Sequence, residues 1–338
     1  MRGSEMKTAI TTLFVAGLVA SPVVAQETEI EIGYMPILPV SQLFVALENG
    51  ALDDTGIEAD LVEFQNGPAM VQALLAGQLD VAYLGIGPAM VAHGRGADIK
   101  VVASNIIEQI SLVALPPLAG DFEGNNPADA FTAFAAREGR KPVISTFPKG
   151  SVPETVLQYW MREEAGIDPD LIEIIHQGTA QVQQALLTGA VDGAAILEPV
   201  VSTTLARIEG AEVVAAGAEM FPDQPGAVLA VREGLLEKSP DAVEALVSAH
   251  IAATHLLAGD AAAAAPMVAK HVGGGRLDPA VVEAAIARSS EQFVADPNRI
   301  VEGTRAMHDF QIELGTLAQP VDLDALFDLN VFERAAAQ

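Results

Sequence analysis

The sequence predicts an α/β protein of two lobes, each a mostly parallel sheet flanked by helices. Three observations predict it. Short β-rich runs alternate with helical ones from Glu29 to Ser104, the rhythm of a parallel sheet covered on both faces. Pro116-Pro117 and the polar Gly120 to Pro127 segment break that rhythm, and a second, similar series follows as far as Ala216. After Pro222 to Pro225 the chain reads as helical, save for one run at Ala227 to Val231.

In the first series, Glu29 to Tyr34 reads as a strand and Ser41 to Glu48 as a helix stopped by Asn49-Gly50. Ala59 to Phe64 is a strand. Pro68 to Ala76 is a helix, with proline in its first turn and Gly77 past its end, the usual asymmetry of helix punctuation. Val81 to Gly85, Pro88 to His93 and Ile99 to Ser104 continue as strand, helix and strand. In the second series the strands are Pro142 to Phe147, Leu171 to Ile175, Gly193 to Leu197 and Val213 to Ala216. The helices are Val152 to Ala165, Gln181 to Thr188 and Pro199 to Ile208. The run at Ala227 to Val231 reads as a return into the first lobe. Ser239-Pro240 and Asp278-Pro279 each open a helix, and Val243, Leu246, Val247, Ile251 and Thr254 form an apolar stripe on the first of these. The expected division is residues 26–117 and 223–338 for the first lobe with its C-terminal helices, and 118–222 for the second.

The N-terminus reads as a secretory leader over residues 1–25. Arg2 and Lys7 precede an apolar run from Ala9 to Ala20, and Val23-Val24-Ala25 puts small residues at a cleavage site. That run is too short to span a bilayer, which needs about 20 residues, and no other stretch reads as a membrane span. The sequence has no cysteine, so an exported chain must rely on its core alone and has no lipid-anchor site. Half of its 338 residues are hydrophobic, which makes burial ample and disorder unexpected. The formal net charge is −27. Such a surface repels nucleic acid and anionic lipid. The expectation is a periplasmic monomer that binds no nucleic acid.

Several runs in fixed order carry a resemblance. They are Ile32-Gly33-Tyr34, Phe64-Gln65-Asn66-Gly67-Pro68, Ala73-Leu74 to Gly77, Asp80-Val81-Ala82 and Gly85-Ile86-Gly87-Pro88, with Ala92 and Gly96 behind. Lys149-Gly150-Ser151, Ala185-Leu186 to Gly189, Val191-Asp192 and Glu198-Pro199 follow. Across residues 29–232 the chain resembles the nitrate/sulfonate/taurine family of periplasmic binding proteins, which also includes binders of thiamine-pyrimidine precursors. The resemblance implies a type II-like two-lobed binding fold that closes on a small solute and docks on an ABC permease. It implies transport without covalent chemistry, no cofactor and no metal. A sulfonate such as taurine is the expected solute. A heterocycle such as a pyrimidine, stacked on Trp160, Tyr34 or Tyr83, is the alternative, and nitrate a further one. Ile86 and Gly87 stand where taurine-type members often carry serine, so side-chain donors are missing there.

The expected solute contacts are Met35, Ser41, Gln42, Asn66, Gly85, Ile86, Gly87, Ser151, Gln177 and Glu198. Glycine-rich turns between strand ends and helix starts present free N–H groups to a cleft. At Gly85 to Gly87 this competes with a purely structural tight turn. Ser151 is equally an N-cap of its own helix. Glu198 either touches the solute, at the ammonium end if it is taurine-like, or serves as a helix N-terminal charge or a lobe-stabilising salt bridge. The third position of a dinucleotide fingerprint after Gly85 and Gly87 is Met90, which argues against a nucleotide site. Gly273-Gly274-Gly275 lacks the Lys-Ser/Thr of a phosphate loop and reads as a helix stop. The six histidines show no metal-ligand spacing, and His250 falls on the apolar stripe as a core residue. Relatives of this fold that make a thiamine pyrimidine carry a cysteine-rich motif, and the chain has neither that nor a nucleophile–base pair, so it reads as no enzyme.

Overall fold

The computed structural model describes residues 28–53 and 56–337; the leader read over residues 1–25 lies outside them. Among the described residues, ten strands form two five-stranded sheets. They are β1 (Thr28–Tyr34), β2 (Ile57–Glu63), β3 (Val81–Gly85), β4 (Ile99–Ser104), β5 (Ser111–Ala114), β6 (Val143–Thr146), β7 (Glu173–His176), β8 (Gly193–Ile196), β9 (Glu212–Ala215) and β10 (Ala227–Arg232). The helices before β5 are α1 (Ser41–Glu48), α2 (Gly67–Leu75) and α3 (Ile86–Gly94). Among the second sheet's strands lie α4 (Pro116–Phe122), α5 (Pro127–Glu138), α6 (Val152–Tyr159), α7 (Thr179–Thr188), α8 (Val200–Arg207) and the short α9 (Gly217–Met220). After β10 come α10 (Glu233–Lys238), α11 (Pro240–Gly259), α12 (Ala261–Val268), α13 (Pro279–Arg288), α14 (Val301–Leu314), α15 (Leu323–Leu326) and α16 (Leu329–Ala336).

The first sheet has the order β2-β1-β3-β10-β4 and the second β7-β6-β8-β5-β9. Parallel pairing holds for β2-β1-β3 and for β7-β6-β8. β10 and β5 run antiparallel to both their neighbours, so each sheet is mixed. The run read as a return strand is β10, which sits between β3 and β4. Both faces of the inner strands are covered: β10 is buried throughout except at Arg232, and β8 throughout. Such strands lose the alternation of a half-buried strand.

One expectation is corrected here. Pro116-Pro117 are not the connector between lobes. They start α4, where proline suits the first turn of a helix. β5 precedes them and belongs to the second sheet, so the chain crosses between sheets at residues 105–110 and returns at 221–226. These two crossovers pair with each other: Glu108 N–H donates to Gln224 O at 2.8 Å and Gly226 N–H to Ile106 O at 3.0 Å. A second correction concerns α11. It is long and apolar enough to cross a membrane by composition, yet it packs on α1 and α16 as a core helix with Val243, Leu246, Val247 and His250 buried. Ser239 flanks it but makes no capping hydrogen bond, whereas Asp278 caps α13 through Ala280 N–H at 2.9 Å.

Candidate functional site

The carboxyl ends of β1, β3, β6 and β8 face one another across the junction of the sheets, the crevice where open α/β sheets bind ligands. A cavity lies there. The first lobe contributes Met35, Tyr83 and Gly85, the second Phe147, Ser151 and Leu197, and the crossover contributes Gln109. The cavity volume is about 20 Å³, room for about one water. As it stands, the cavity is too small for an organic solute.

Side chains and backbone close the junction on several sides. Leu38 N–H donates to Glu198 O at 3.2 Å. Gln311 of α14, which packs on α3, donates through Nε2 to Thr155 Oγ1 of α6 at 3.1 Å. Tyr159 meets Phe310 edge-on at 5.1 Å. Arg288 Nε stands 3.2 Å from Glu198 Oε1.

Among the expected contacts, Met35, Gly85 and Ser151 line the cavity. The other seven do not, and each has other bonds or packing. Ser41 and Gln42 are fully buried, and Gln42 Nε2 donates to Asn105 O at 2.7 Å. Asn66 caps α2, accepting from Ala69 N–H at 2.9 Å. Ile86 is buried and its N–H donates to Gly226 O at 2.9 Å. Gly87 is a close-approach point, since a Cβ there would sit 2.7 Å from Gln311 Nε2 and 3.2 Å from Gly150 O. Gln177 accepts from Ser145 Oγ at 2.9 Å. Glu198 accepts from Ser202 N–H at 2.9 Å and Ser202 Oγ at 2.8 Å besides pairing with Arg288. Burial pushes its pKa up, and the Ser202 bonds and Arg288 pull it down less strongly.

Neither Trp160 nor Tyr34 is available for stacking in the cavity. Trp160 packs edge-on to Phe131 inside the second lobe, and Tyr34 packs edge-on to Phe44. Tyr83 does line the cavity, and burial raises the pKa of its phenol, which stays neutral.

Three polar atoms of cavity-lining residues have no hydrogen-bond partner among the described residues: Tyr83 OH, Gln109 Oε1 and Ser151 Oγ. The three residues are 1%, 7% and 3% exposed. Buried polar groups left unpaired are costly; these three belong to residues that line the cavity, while Ser104 Oγ and Asn105 Oδ1, among others, lack partners elsewhere. Ser151 holds the N-cap position of α6, but its side chain makes no capping bond. Among the described residues, no histidine, lysine, arginine, aspartate or glutamate lines the cavity.

The helix N-termini offer few donors. Pro88 removes one N–H from the first turn of α3 and Pro153 one from α6, and Ile86 N–H is already used. Glu154, 2% exposed, stands in the first turn of α6, with its pKa raised by burial. Sequence reasoning missed Gln109 and Phe147. Gln109 lies in an irregular crossover with no periodicity to flag it.

Similar structures share the fold. The periplasmic nitrate-binding protein NrtA of Synechocystis PCC 6803 aligns over 92% of this chain and 88% of its own, with a TM-score of 0.77 and 15% identity. The alkanesulfonate-binding protein SsuA of Xanthomonas axonopodis pv. citri, bound to MOPS, aligns over 89% and 98%, with a TM-score of 0.71 and 21% identity. In sequence, a Brucella abortus chain named as a binding protein is 28% identical over 232 residues, 68% of this chain and 66% of that one. The bicarbonate transport ATP-binding protein CmpC of Synechocystis is 29% identical over 234 residues, which span 34% of its length. The two-lobed α/β fold is thus that of the periplasmic nitrate- and sulfonate-binding proteins. The NMT1-like family model matches residues 24–273, and the chain belongs to the NMT1-like family.

Proposed function

We propose that the chain is the solute-binding subunit of an ABC importer, working in the periplasm as a monomer and handing a small uncharged polar solute to a membrane permease. The observation that carries this reading is the cavity between the lobes, with three partnerless neutral polar atoms on its wall. The likeness in fold to nitrate- and sulfonate-binding proteins supports the transport class. Transport without covalent chemistry is part of this reading, and Ser151 Oγ makes no hydrogen bond to a base among the described residues.

The solute class follows from electrostatics. A sulfonate or nitrate brings a full charge into a cavity whose wall, among the described residues, carries no cation. Desolvating that charge without a partner is expensive. A neutral heterocycle or amide-bearing solute matches Tyr83, Gln109 and Ser151 without that cost. Glu198 has no role toward an ammonium group in this reading, because Ser202 and Arg288 occupy its carboxylate.

A thermal-shift screen of pyrimidines, lactams, alkanesulfonates, taurine, nitrate and carboxylates tests it. A solute at 100 times its Kd adds about 2.7 kcal/mol, a rise of several degrees in Tm for a chain of this size. The expected hits are uncharged. A sulfonate giving the largest rise overturns the solute class and leaves the transport reading standing. No rise with any small polar solute overturns both.

A further inference from the structure

We propose that Gln109 is the specificity-determining residue of the cleft, reading a hydrogen-bond donor and acceptor set side by side on an uncharged solute, as on a lactam or pyrimidinone edge. This rests on the solute-capture reading above. Of the three partnerless atoms on the wall, Tyr83 belongs to β3 in the first lobe and Ser151 to the start of α6 in the second. Gln109 alone comes from the crossover. Hydroxyls rotate to suit either role, whereas a carboxamide holds an acceptor and a donor in one plane at fixed spacing. It therefore imposes the more exacting pattern on a ligand. A site built to hydrogen-bond a polar group also discriminates strongly against analogues that lack it.

The crossover holds this amide in place. A Cβ on Gly226 would lie 2.9 Å from Gln109 Cδ and 2.5 Å from Ile106 O, so the side chain packs on a glycine that leaves no space for anything larger. The residue before it, Glu108, has a left-handed φ of 49°. Its O is bonded by Gln292 Nε2 at 2.8 Å, and its N–H donates to Gln224 O at 2.8 Å. The backbone that carries Gln109 is thus fixed from both sides. The residue is 7% exposed with Oε1 unpaired, and a solute bearing a matching edge supplies the missing partner.

The experiment is calorimetry on the wild-type chain, Gln109→Met and Gln109→Glu, with uracil, 2-pyrrolidinone, 2-aminopyridine and ethanesulfonate as probes. Uracil and 2-pyrrolidinone are expected to bind the wild type, and Gln109→Met to weaken both by about tenfold or more. Gln109→Glu keeps the shape but replaces the donor by a second acceptor, so its preference is expected to move to protonated 2-aminopyridine, whose ring N–H and amino N–H present two donors side by side. That change of rank order distinguishes recognition from misfolding. Equal Kd values for uracil in the wild type and Gln109→Met overturn the role of Gln109 while leaving capture of an uncharged solute intact. Tighter binding of ethanesulfonate than of uracil by the wild type, or no binding of uracil and 2-pyrrolidinone, overturns the solute class itself.

Discussion

Asp223 N–H donates to Glu108 Oε1 at 2.9 Å, and these two are the non-glycine residues with left-handed φ among the described residues, at 55° and 49°. They face each other across the paired crossovers. Left-handed backbone is unusual for non-glycine residues and tends to persist where the surroundings over-determine it. Here the carboxylate of one bonds the backbone of the other. Asp tolerates this conformation and a β-branched residue does not. Asp223→Gly is therefore expected to change stability by less than about 1 kcal/mol, and Asp223→Val to lower it by about 1–3 kcal/mol. Urea melts of both variants check the order; equal melts would mean that the backbone there is unstrained.

The Glu198–Arg288 pair joins the second lobe to α13. Glu198 is 7% exposed at its side chain and Arg288 50%, so screening reduces what the pair contributes. Arg288→Gln leaves a buried carboxylate with Ser202 as its remaining partner, at an expected loss of about 1–2 kcal/mol at neutral pH. The folded-state pKa of Glu198 is already raised by burial. A raised carboxyl pKa stabilises the fold below the unfolded value and penalises it as pH climbs through the folded one. Removing the arginine raises it further. The loss in Arg288→Gln is therefore expected to be largest near pH 8 and to shrink toward pH 5, read as Tm differences from wild type.

His250 gives the opposite slope. It is fully buried, bonds Ser104 O through Nε2 at 2.7 Å, and lies 5.8 Å from the Tyr83 ring. Burial lowers its pKa to about 4, against which the Ser104 bond pulls weakly. Its neutral form thus contributes stability that is present above the unfolded value near 6.5 and lost as pH falls toward 4. The full loss is on the order of 3 kcal/mol. His250→Gln keeps a donor for Ser104 O and does not titrate. Its stability between pH 7 and pH 4.5 is expected to fall less than that of the wild type.

Asn66 and Ser151 explain what the sequence could and could not disclose. Both precede a helix with proline in its first turn, and both fit an N-cap pattern. Asn66 caps, whereas Ser151, which lines a cavity formed with residues far away in the chain, does not. Local patterns reached the strands, most helices and the glycine turns, since periodicity and punctuation are local. They did not reach Gln109, which sits in an aperiodic crossover, or Arg288, whose partner lies 90 residues earlier. The Pro116-Pro117 break was misleading for the same reason: proline starts helices as readily as it breaks them, and four residues of β5 are too few for a pattern.

The same contrast makes a prediction. Asn66→Ala is expected to cost about 1 kcal/mol through the lost cap. Ser151→Ala removes an unpaired buried hydroxyl and is expected to cost less than that, or to stabilise. It should weaken solute binding while Asn66→Ala leaves binding within about twofold. Paired urea melts and calorimetry separate the two roles; a larger stability loss in Ser151→Ala than in Asn66→Ala would make Ser151 a structural cap after all.

Gly85 and Gly87 set how closely the lobes approach. A Cβ at Gly85 would lie 2.8 Å from Val152 Cγ2, and one at Gly87 2.7 Å from Gln311 Nε2 and 3.2 Å from Gly150 O. Gly150 has a φ of +81°, a conformation that glycine adopts without strain, so its carbonyl has little freedom to retreat. Overpacking in such a place costs about 1–3 kcal/mol when the surroundings must yield. A junction between lobes yields more cheaply than a core, by opening. Gly87→Ala is therefore expected to hold the lobes apart, disturb the Gln311–Thr155 bond and lower solute affinity by about tenfold or more, with little change in Tm when no solute is added. Small-angle scattering should give a larger radius of gyration for Gly87→Ala than for wild type, and Gly87→Ala/Gln311→Ala should recover part of the difference. A variant that melts much lower at an unchanged radius would mean that Gly87 serves packing within the first lobe and not the spacing of the cleft.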